Sequence, residues 1–351
     1  MQFSFFSSTS YMGPAPGMAV WPMPPRLCDR SIAAASIERG LDVCARADAL
    51  GYDWVSLSEH HYGILTLTPS TTVMAAAVSR VVKRAKIAVL GPLLSIGNPV
   101  RTAEELALLD HLTDGRLIVL FLQGTPNETR AYEALGGDSR MITQEGIELV
   151  LRAWTDGQPF AWKGRHFDFP NIGIWPRPRQ DPHPFVFGSG NHEDSARFAA
   201  RHRLGLAMSF LPLAAAEQRI ALYRSEADKA GWLPGREHIL YRGIGHLAET
   251  DEQAKGEITA ATEARIATAR KIESEENCAP PLGAPVVERA PVFQPLFNGS
   301  PRRVSELARA FHEAGVGTLD IAFHWGPTSY EQQVRSMTMF AEQVIPTGRT
   351  W

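Results

Sequence analysis

Short apolar runs alternate along this chain with longer stretches whose apolar positions return at helical spacing. The first run is FSFF (Phe3 to Phe6), SIERGLDVCARADALG follows with helical periodicity, and DWVSL is strand-like again. The alternation continues through TTVMAAAVSRVV, KIAVLG, VRTAEELALLDHLTDG and RLIVLFLQG. After EGIELVLRAW it reaches the strand FVFGSG. A strand, helix, strand rhythm predicts a parallel sheet covered by helices. The runs IAVL and LIVLF are apolar at successive positions, so both faces of those strands are expected to be buried. An open doubly wound sheet satisfies the same pattern. The closed α/β architecture, a (β/α)8 TIM barrel, is preferred because no G-x-G-x-x-G follows the first strand and one barrel core absorbs 351 residues.

Local punctuation sharpens the outline. Asn98-Pro99 has the form of a helix cap followed by a first-turn proline, and Gly115 reads as the stop of that helix. Gln158 to Pro184, rich in proline and aromatics, predicts an ordered excursion with a small hairpin. Ser274 to Asn298, around NCAPPLGAPVVERAPVFQP, reads as a long loop of the lid or interface kind. The expected organisation is one barrel domain over residues 1–351 with insertions near 158–184 and 274–298.

Composition removes whole classes of function. A net charge of −3, spread without a basic stripe or acidic tail, points away from nucleic acid and anionic membranes and toward small molecules. Cys28, Cys44 and Cys278 are odd in number and widely spaced, which suits neither a disulfide framework nor a zinc site. The N-terminus has no basic and apolar leader, and no run reaches 18 apolar residues. A cytoplasmic chain without a membrane span is therefore expected.

Two stretches carry candidate chemistry. SEHHYG closes the strand DWVSL with Glu59, His60 and His61, at what would be the catalytic end of a barrel strand. In extended backbone Glu59 and His61 share one side and His60 takes the other. An imidazole there can cap or pack, or it can move protons near neutral pH, whereas a metal site lacks further ligands at suitable spacing. In GSGNHEDSARFAA, Gly188 and Gly190 end a strand and a helix begins near Ser195, with Asn191 or Asp194 as its cap. The stretch suits an ordinary capped helix or a phosphate held on free backbone N–H groups, and Asp194 should then face outward.

These stretches resemble, in the same order, motifs of the bacterial luciferase-like family of flavin-dependent monooxygenases. GYDWVSLSEHHYG is similar to the family's second strand, NPVRTAEELALLDHLTDGRL to the helix leading into strand four, and FLQGTPNE to its R-G-T-P-x-E loop. PRPRQDPHPFVFGSG resembles the run before strand five, and GVGTLDIAF and SMTMFAEQVIP the last strand and terminal helix. The resemblance implies a luciferase-like TIM barrel with insertions and reduced FMN (FMNH2) as cofactor, supplied by a separate NAD(P)H:flavin reductase. It also implies a homodimer, and a C4a-peroxyflavin that inserts one oxygen atom from O2 into a small organic substrate. On that reading His60 handles the proton, with His61 as its partner and Glu59 fixing a tautomer. Asn98, Gln123 and Gly124 lie along the flavin, and Gly190, Asn191, His192 and Ser195 hold its phosphate. Leu120, Gln123 and Asn98 stand where relatives commonly carry Gly, Arg and His, so Gln123 offers a hydrogen bond rather than a charge. Three further readings stay open: hydride transfer with the deazaflavin F420 on the same barrel, flavin binding without turnover, and a barrel used for oligomeric structure. Trp54, Trp154 and Trp175 read as core or loop anchors, Arg116 as structural, and Tyr11, Met12 and Trp21 as near the substrate entrance.

Overall fold

The computed structural model describes residues 1–17, 20–132, 138–276, 296–324 and 328–351. Its strands are β1 (Gln2–Ser7), β2 (Trp54–Ser58), β3 (Lys86–Leu93), β4 (Leu117–Leu122), β5 (Phe160–Lys163), β6 (Asp168–Ile172), β7 (Phe185–Ser189), β8 (Gly205–Ser209), β9 (Ile239–Leu247), β10 (Phe297–Gly299) and β11 (Thr318–Ala322). The helices are α1 (Arg30–Ala49), α2 (Thr71–Val81), α3 (Pro99–Leu112), α4 (Pro126–Ala131), α5 (Ser139–Thr155), α6 (Glu193–Arg201), α7 (Leu213–Lys229), α8 (Asp251–Glu275), α9 (Pro301–Glu313), α10 (Tyr330–Gln343) and α11 (Ile345–Gly348). Eight parallel strands close a barrel in the order β1, β2, β3, β4, β7, β8, β9, β11 and back to β1, so the preferred closed fold is what forms. The ring joins both ends of the chain: Ser4 is registered with Trp54 on one side and Asp320 on the other.

Burial on both strand faces explains the continuous apolar runs. Inside the barrel, Trp54, Ala88, Leu90, Ile118, Leu120, Phe187, Ala207 and Leu240 form one cluster that fills the interior. Outside it, alternate residues of the same strands, such as Phe5, Val55, Val89 and Phe121, pack beneath the helices. Trp154 of α5 is fully buried there and its indole N–H donates to the Ala103 carbonyl at 2.9 Å. Trp54 is an interior plug, as a core anchor would be, whereas Trp175 is 90% exposed and is no anchor. Arg116 donates to the Ala85 and Val82 carbonyls, a structural role.

The punctuation holds in detail. Asn98 caps α3 with Pro99 in its first turn, and Gly115, at φ +74°, donates its N–H to Asp110 at the helix end. The first excursion contains the antiparallel β5–β6 hairpin. Residues 277–295 of the second, with Cys278, lie outside the described residues; before them α8 runs on to Glu275, and after them β10 extends the sheet beside β9. Two boundaries differ from the sequence reading. Helix α6 begins at Glu193, with His192 at the cap position making no side-chain cap bond, in place of Asn191 or Asp194. Strands β8 and β9, which the periodicity did not separate from their surroundings, complete the ring. Among the described residues no helix is long and apolar enough to cross a membrane.

Candidate active site at the barrel mouth

The site is built on the loops at the C-terminal ends of β2 and β4. Beyond Leu122 the chain turns through Gly124, whose φ of +77° suits glycine; a Cβ there would meet the Leu93 side chain at 3.1 Å and the Glu128 carboxylate at 3.5 Å. That turn lets Thr125 start α4 with a capping box: its hydroxyl accepts from the Glu128 N–H at 3.3 Å, and Glu128 Oε2 accepts from the Thr125 N–H at 2.7 Å. The other oxygen, Oε1, reaches across to β2. It faces His60 Nδ1 at 3.1 Å and accepts the His61 backbone N–H at 3.0 Å. One carboxylate thus fixes both histidines of the tripeptide.

Electrostatics decide the protonation of that contact. Glu128 is only 2% exposed, and burial by itself would raise its pKa; the bonds from His60 and Thr125 outweigh it and hold the carboxyl at about 2. Glu128 is therefore ionised at neutral pH and can only accept, so the proton between the two groups sits on His60 Nδ1. The second nitrogen, Nε2, is left without a protein partner among the described residues, on a side chain that is 36% exposed. The sequence reading has Glu59 fixing a tautomer and sharing a side with His61; the structure places Glu59 on His61, and Glu128, outside the tripeptide, on His60.

His61 belongs to a second chain of contacts. Its Nε2 lies 3.3 Å from Glu59 Oε1 and its Nδ1 lies 2.8 Å from the Tyr132 hydroxyl. Burial of the phenol, then Tyr62 and the negative Glu59 and Glu128, push the Tyr132 pKa upward, so the hydroxyl keeps its proton and donates it to Nδ1. The remaining imidazole proton then sits on Nε2 and points to Glu59. Tyr62, at φ +54°, stacks on Tyr132 with ring centroids 5.5 Å apart, and Trp21 leans on Tyr62 while donating its indole N–H to the His61 carbonyl at 3.0 Å. Trp21 therefore reaches the site, whereas the Tyr11 hydroxyl accepts the N–H of Asp29 at the cap of α1, and Met12 lies against Arg39.

The remaining expected residues fall in two places. Asn98 spends its side-chain oxygen on the N–H groups of Val100 and Arg101, and the backbone carbonyl of Gln123 accepts from the Ser95 hydroxyl at 2.6 Å. At the end of β7, Gly190 is pinned by its N–H to the Ala207 carbonyl at 2.7 Å, and a Cβ there would meet Leu206 at 2.6 Å. The Asn191 side chain clips β7 to β8, donating to the Ser209 carbonyl and accepting its N–H at 2.9 Å. His192 is exposed and Ser195 half-buried in the first turn of α6. Asp194 faces outward, as expected, onto Arg140 of α5 at 2.6 Å. Glu128 and Tyr132 are the site residues that sequence reasoning missed; the loop FLQGTPNETRAY contains both, and only their reach across to β2 gives them meaning.

A barrel mouth that joins two oriented imidazoles to two carboxylates, one buried and one largely so, carries groups able to accept and donate protons at the C-terminal end of a TIM scaffold. The sequence profile of the family "Luciferase-like monooxygenase" matches residues 17–318, and the chain belongs to that family of monooxygenases. An uncharacterised protein, y4wF, of Sinorhizobium fredii is 29% identical over 48% of this chain and 49% of its own length. The 3,6-diketocamphane 1,6-monooxygenase of Pseudomonas putida is 23% identical over 90% of this chain and 93% of that one. The oxygenating constituent of a 3,6-diketocamphane monooxygenase from the same species, solved with FMN and described as a type II Baeyer-Villiger monooxygenase, superposes with a TM-score of 0.75 at 20% identity, over 99% and 98% of the two chains. Monooxygenase RslO1 of Streptomyces bottropensis gives a TM-score of 0.80 at 25% identity, over 99% of each chain.

Proposed function

We propose that this chain is the oxygenase component of a two-component system, an FMN-dependent monooxygenase that receives reduced FMN from a separate flavin reductase. With O2 it places one oxygen atom in a small organic substrate. The observation that carries this reading is the His60–Glu128 pair at the mouth: an imidazole with one nitrogen locked and the other open. Reduced FMN, when bound, supplies the electrons that activate O2. His60 Nε2 is the atom that accepts or returns a proton there, and Glu128 keeps the ring oriented and its Nδ1 protonated. Tyr132, His61 and Glu59 form a line of exchangeable protons from a half-exposed phenol to the mouth, and the aromatic wall of Trp21, Tyr62 and Tyr132 limits water.

The residues at the end of β7 fit the phosphate of FMN. The α6 start has no side-chain cap, unlike those of α3 and α5, so its first N–H groups are available to an anion. Ser195 adds a hydroxyl, Arg140 stands beside the turn as a cation, and Gly190, Asn191 and His192 shape the loop. Gln123 and Gly124 border the flavin at the end of β4, and Asn98, its oxygen used by the α3 cap, offers only its amide. The relative solved with FMN supports this cofactor. The chain is read as one cytoplasmic barrel domain that works as a homodimer.

The test is to load the anaerobic protein with FMNH2, mix it with oxygenated buffer and follow flavin absorbance. Oxidised FMN should return far more slowly than from free FMNH2. Return at the free rate removes the oxygenase reading, and selective binding of F420 in place of FMN replaces it with hydride transfer.

A further inference from the structure

The first and last strands of the chain meet where β1 pairs with β11, and a small cavity lies at that seam, between the strand ends and helices α1 and α10. Ser7, Ser8 and Thr9 line it from the β1 end, Arg39 and Gly40 from α1, and Gln333 from α10; none of Glu59, His60, His61 or Glu128 belongs to it. Its volume is about 10 Å³, room for one body the size of a water. Two local features shape it. Gly40 sits in the middle of α1, where glycine is unfavourable, and a Cβ there would meet Thr9 Oγ1 at 2.8 Å. Thr9 is itself held at φ +46°, a left-handed backbone that a β-branched residue rarely adopts.

Arg39 brings a positive charge to this wall. Its Nη1–H points to Met12 Sδ at 2.9 Å, its Nη2–H donates to Gln333 Oε1 at 3.0 Å, and the guanidinium lies over the Tyr330 ring, 4.6 Å from the centroid. Among the described residues no carboxylate lies within ion-pair distance of it; Asp42, one turn on, is taken by Arg46 and by the Tyr330 hydroxyl. Burial is the largest influence on the Arg39 pKa and lowers it, so its present partners do not make up for the water it has lost. Because arginine can only donate, Gln333 must turn its oxygen toward it, which leaves the amide Nε2 as a donor. Gln333 is 3% exposed, and that Nε2 has no partner among the described residues. The nearby Ser36 hydroxyl is already engaged, donating to the Ile32 carbonyl and accepting the Met12 N–H. A half-buried cation and a buried, unpaired donor therefore face one small space.

We propose that this cavity is a binding site for one halide-sized anion, held by the Arg39 guanidinium and the Gln333 amide. Such an ion accepts from both donors and balances the charge, whereas a cation would meet Arg39 and a water would leave that charge uncompensated. Size excludes phosphate, sulfate and organic carboxylates. Bound at the seam, the anion joins α1 to α10, the first long helix to the last, and stabilises the closed barrel through mass action without touching the histidine cluster.

The experiment follows thermal unfolding of the full chain, without flavin, in sodium chloride, bromide and gluconate at equal ionic strength, gluconate being too large for the cavity. Wild type should unfold about 2 °C or more higher in about 0.2 M chloride than in gluconate, with a gain that saturates as chloride replaces gluconate. Gln333→Glu sets a carboxylate against Arg39, so it should unfold higher than wild type in gluconate and lose the chloride gain. Arg39→Met should lose the gain without that rise. In crystals grown with bromide, anomalous scattering should place the ion within hydrogen-bond distance of Arg39 and Gln333. No chloride gain in wild type, a gain that either folded variant keeps, or a cavity that holds water only overturns the site. No flavin enters these measurements, so their failure leaves the oxygenase reading standing, and failure of the flavin reoxidation test leaves the anion site standing.

Discussion

His60 on Glu128 and His246 on Glu257 are the same chemical pair set in two places of one barrel. At the mouth, Glu128 splits its oxygens between a helix cap and the β2 end, and the imidazole it holds keeps one edge open. Behind β9, His246 is fully buried, with Nε2 2.6 Å from Glu257 Oε2 of α8. Arg335 of α10 forks onto both oxygens of the same glutamate, and Gln253 donates to Oε1 at 2.9 Å. Burial would raise Glu257, but Arg335, Gln253 and His246 outweigh it and hold the carboxyl at about 2, as Glu128 is held. Burial pushes the His246 pKa down. The difference is access. The His246 pair, its other nitrogen buried, is a strut joining β9, α8 and α10, and a pair whose free nitrogen lies on an exposed side chain is within reach of other molecules.

Removing the two imidazoles separates these roles most sharply. His60→Ala should lower turnover by about 10²- to 10⁴-fold, the usual worth of a positioned acid or base, with FMN affinity little changed. His246→Ala should leave turnover close to wild type and cost about 2 to 4 kcal/mol of stability through the cavity and the stranded carboxylate. Steady-state rates and denaturant unfolding of the two variants check this, and equal rate losses in both would erase the distinction between site and strut.

The glutamates come next. Glu257→Gln should destabilise by about 3 kcal/mol, because Arg335 loses its counter-charge in a largely buried setting. Glu128→Gln should cost about 1 to 3 kcal/mol and in addition release the His60 tautomer, which ¹⁵N chemical shifts of the imidazole report. Both carboxyls sit below their unfolded value of about 4.5. Their stabilisation is therefore complete above that pH and is lost as pH falls toward about 2, at most about 3 kcal/mol each. Each Gln variant should unfold with a flatter dependence on pH below 4.5, and a slope like that of wild type would show that the carboxyl is not held down.

How far the sequence reveals this depends on how local the information is. Strands β1 to β4 and the tripeptide Glu59-His60-His61 announce themselves, because a strand that is apolar on both faces and a polar end at its C-terminus lie within a dozen residues. Asn98-Pro99 and Gly115 are equally local. Glu128 and Tyr132 are not: each acts on β2 from the far side of the β4 turn, over sequence separations of 67 and 71 residues to His61. Arg242 and Asp320 are further from sight, since a charge inside ILYRGIGHL or TLDIAF reads as an exposed strand position until barrel closure brings β9, β11 and β2 together. At α6 the residues expected to cap, Asn191 and Asp194, find better partners in Ser209 and Arg140, a competition that only tertiary contact decides.

A third buried histidine gives the smallest and most specific effect. His324, just beyond β11, contacts the Thr328 hydroxyl through Nδ1 at 3.1 Å, and burial first, then the Arg39 cation, depress its pKa to about 4. Unlike the glutamates it resists charging rather than resisting neutralisation. Between its unfolded value of about 6.5 and about 4, the unfolded chain binds a proton that the folded chain refuses, so stability falls as pH drops through that window. Below about 4 both states carry the proton and the loss levels off, at most about 3 kcal/mol in all. His324→Asn keeps a polar contact for Thr328 and removes the titration, so its stability should fall less between pH 6.5 and 4. The slope that remains belongs to His202, His246 and His312, whose pKa values burial also lowers, and at the acid end of the window to carboxyls held down in the fold, Glu128 and Glu257 among them. Chemical unfolding at a series of pH values reads the difference directly. A variant curve parallel to wild type through the window would mean that His324 takes up its proton as readily in the fold as outside it, which its closed surroundings rule against.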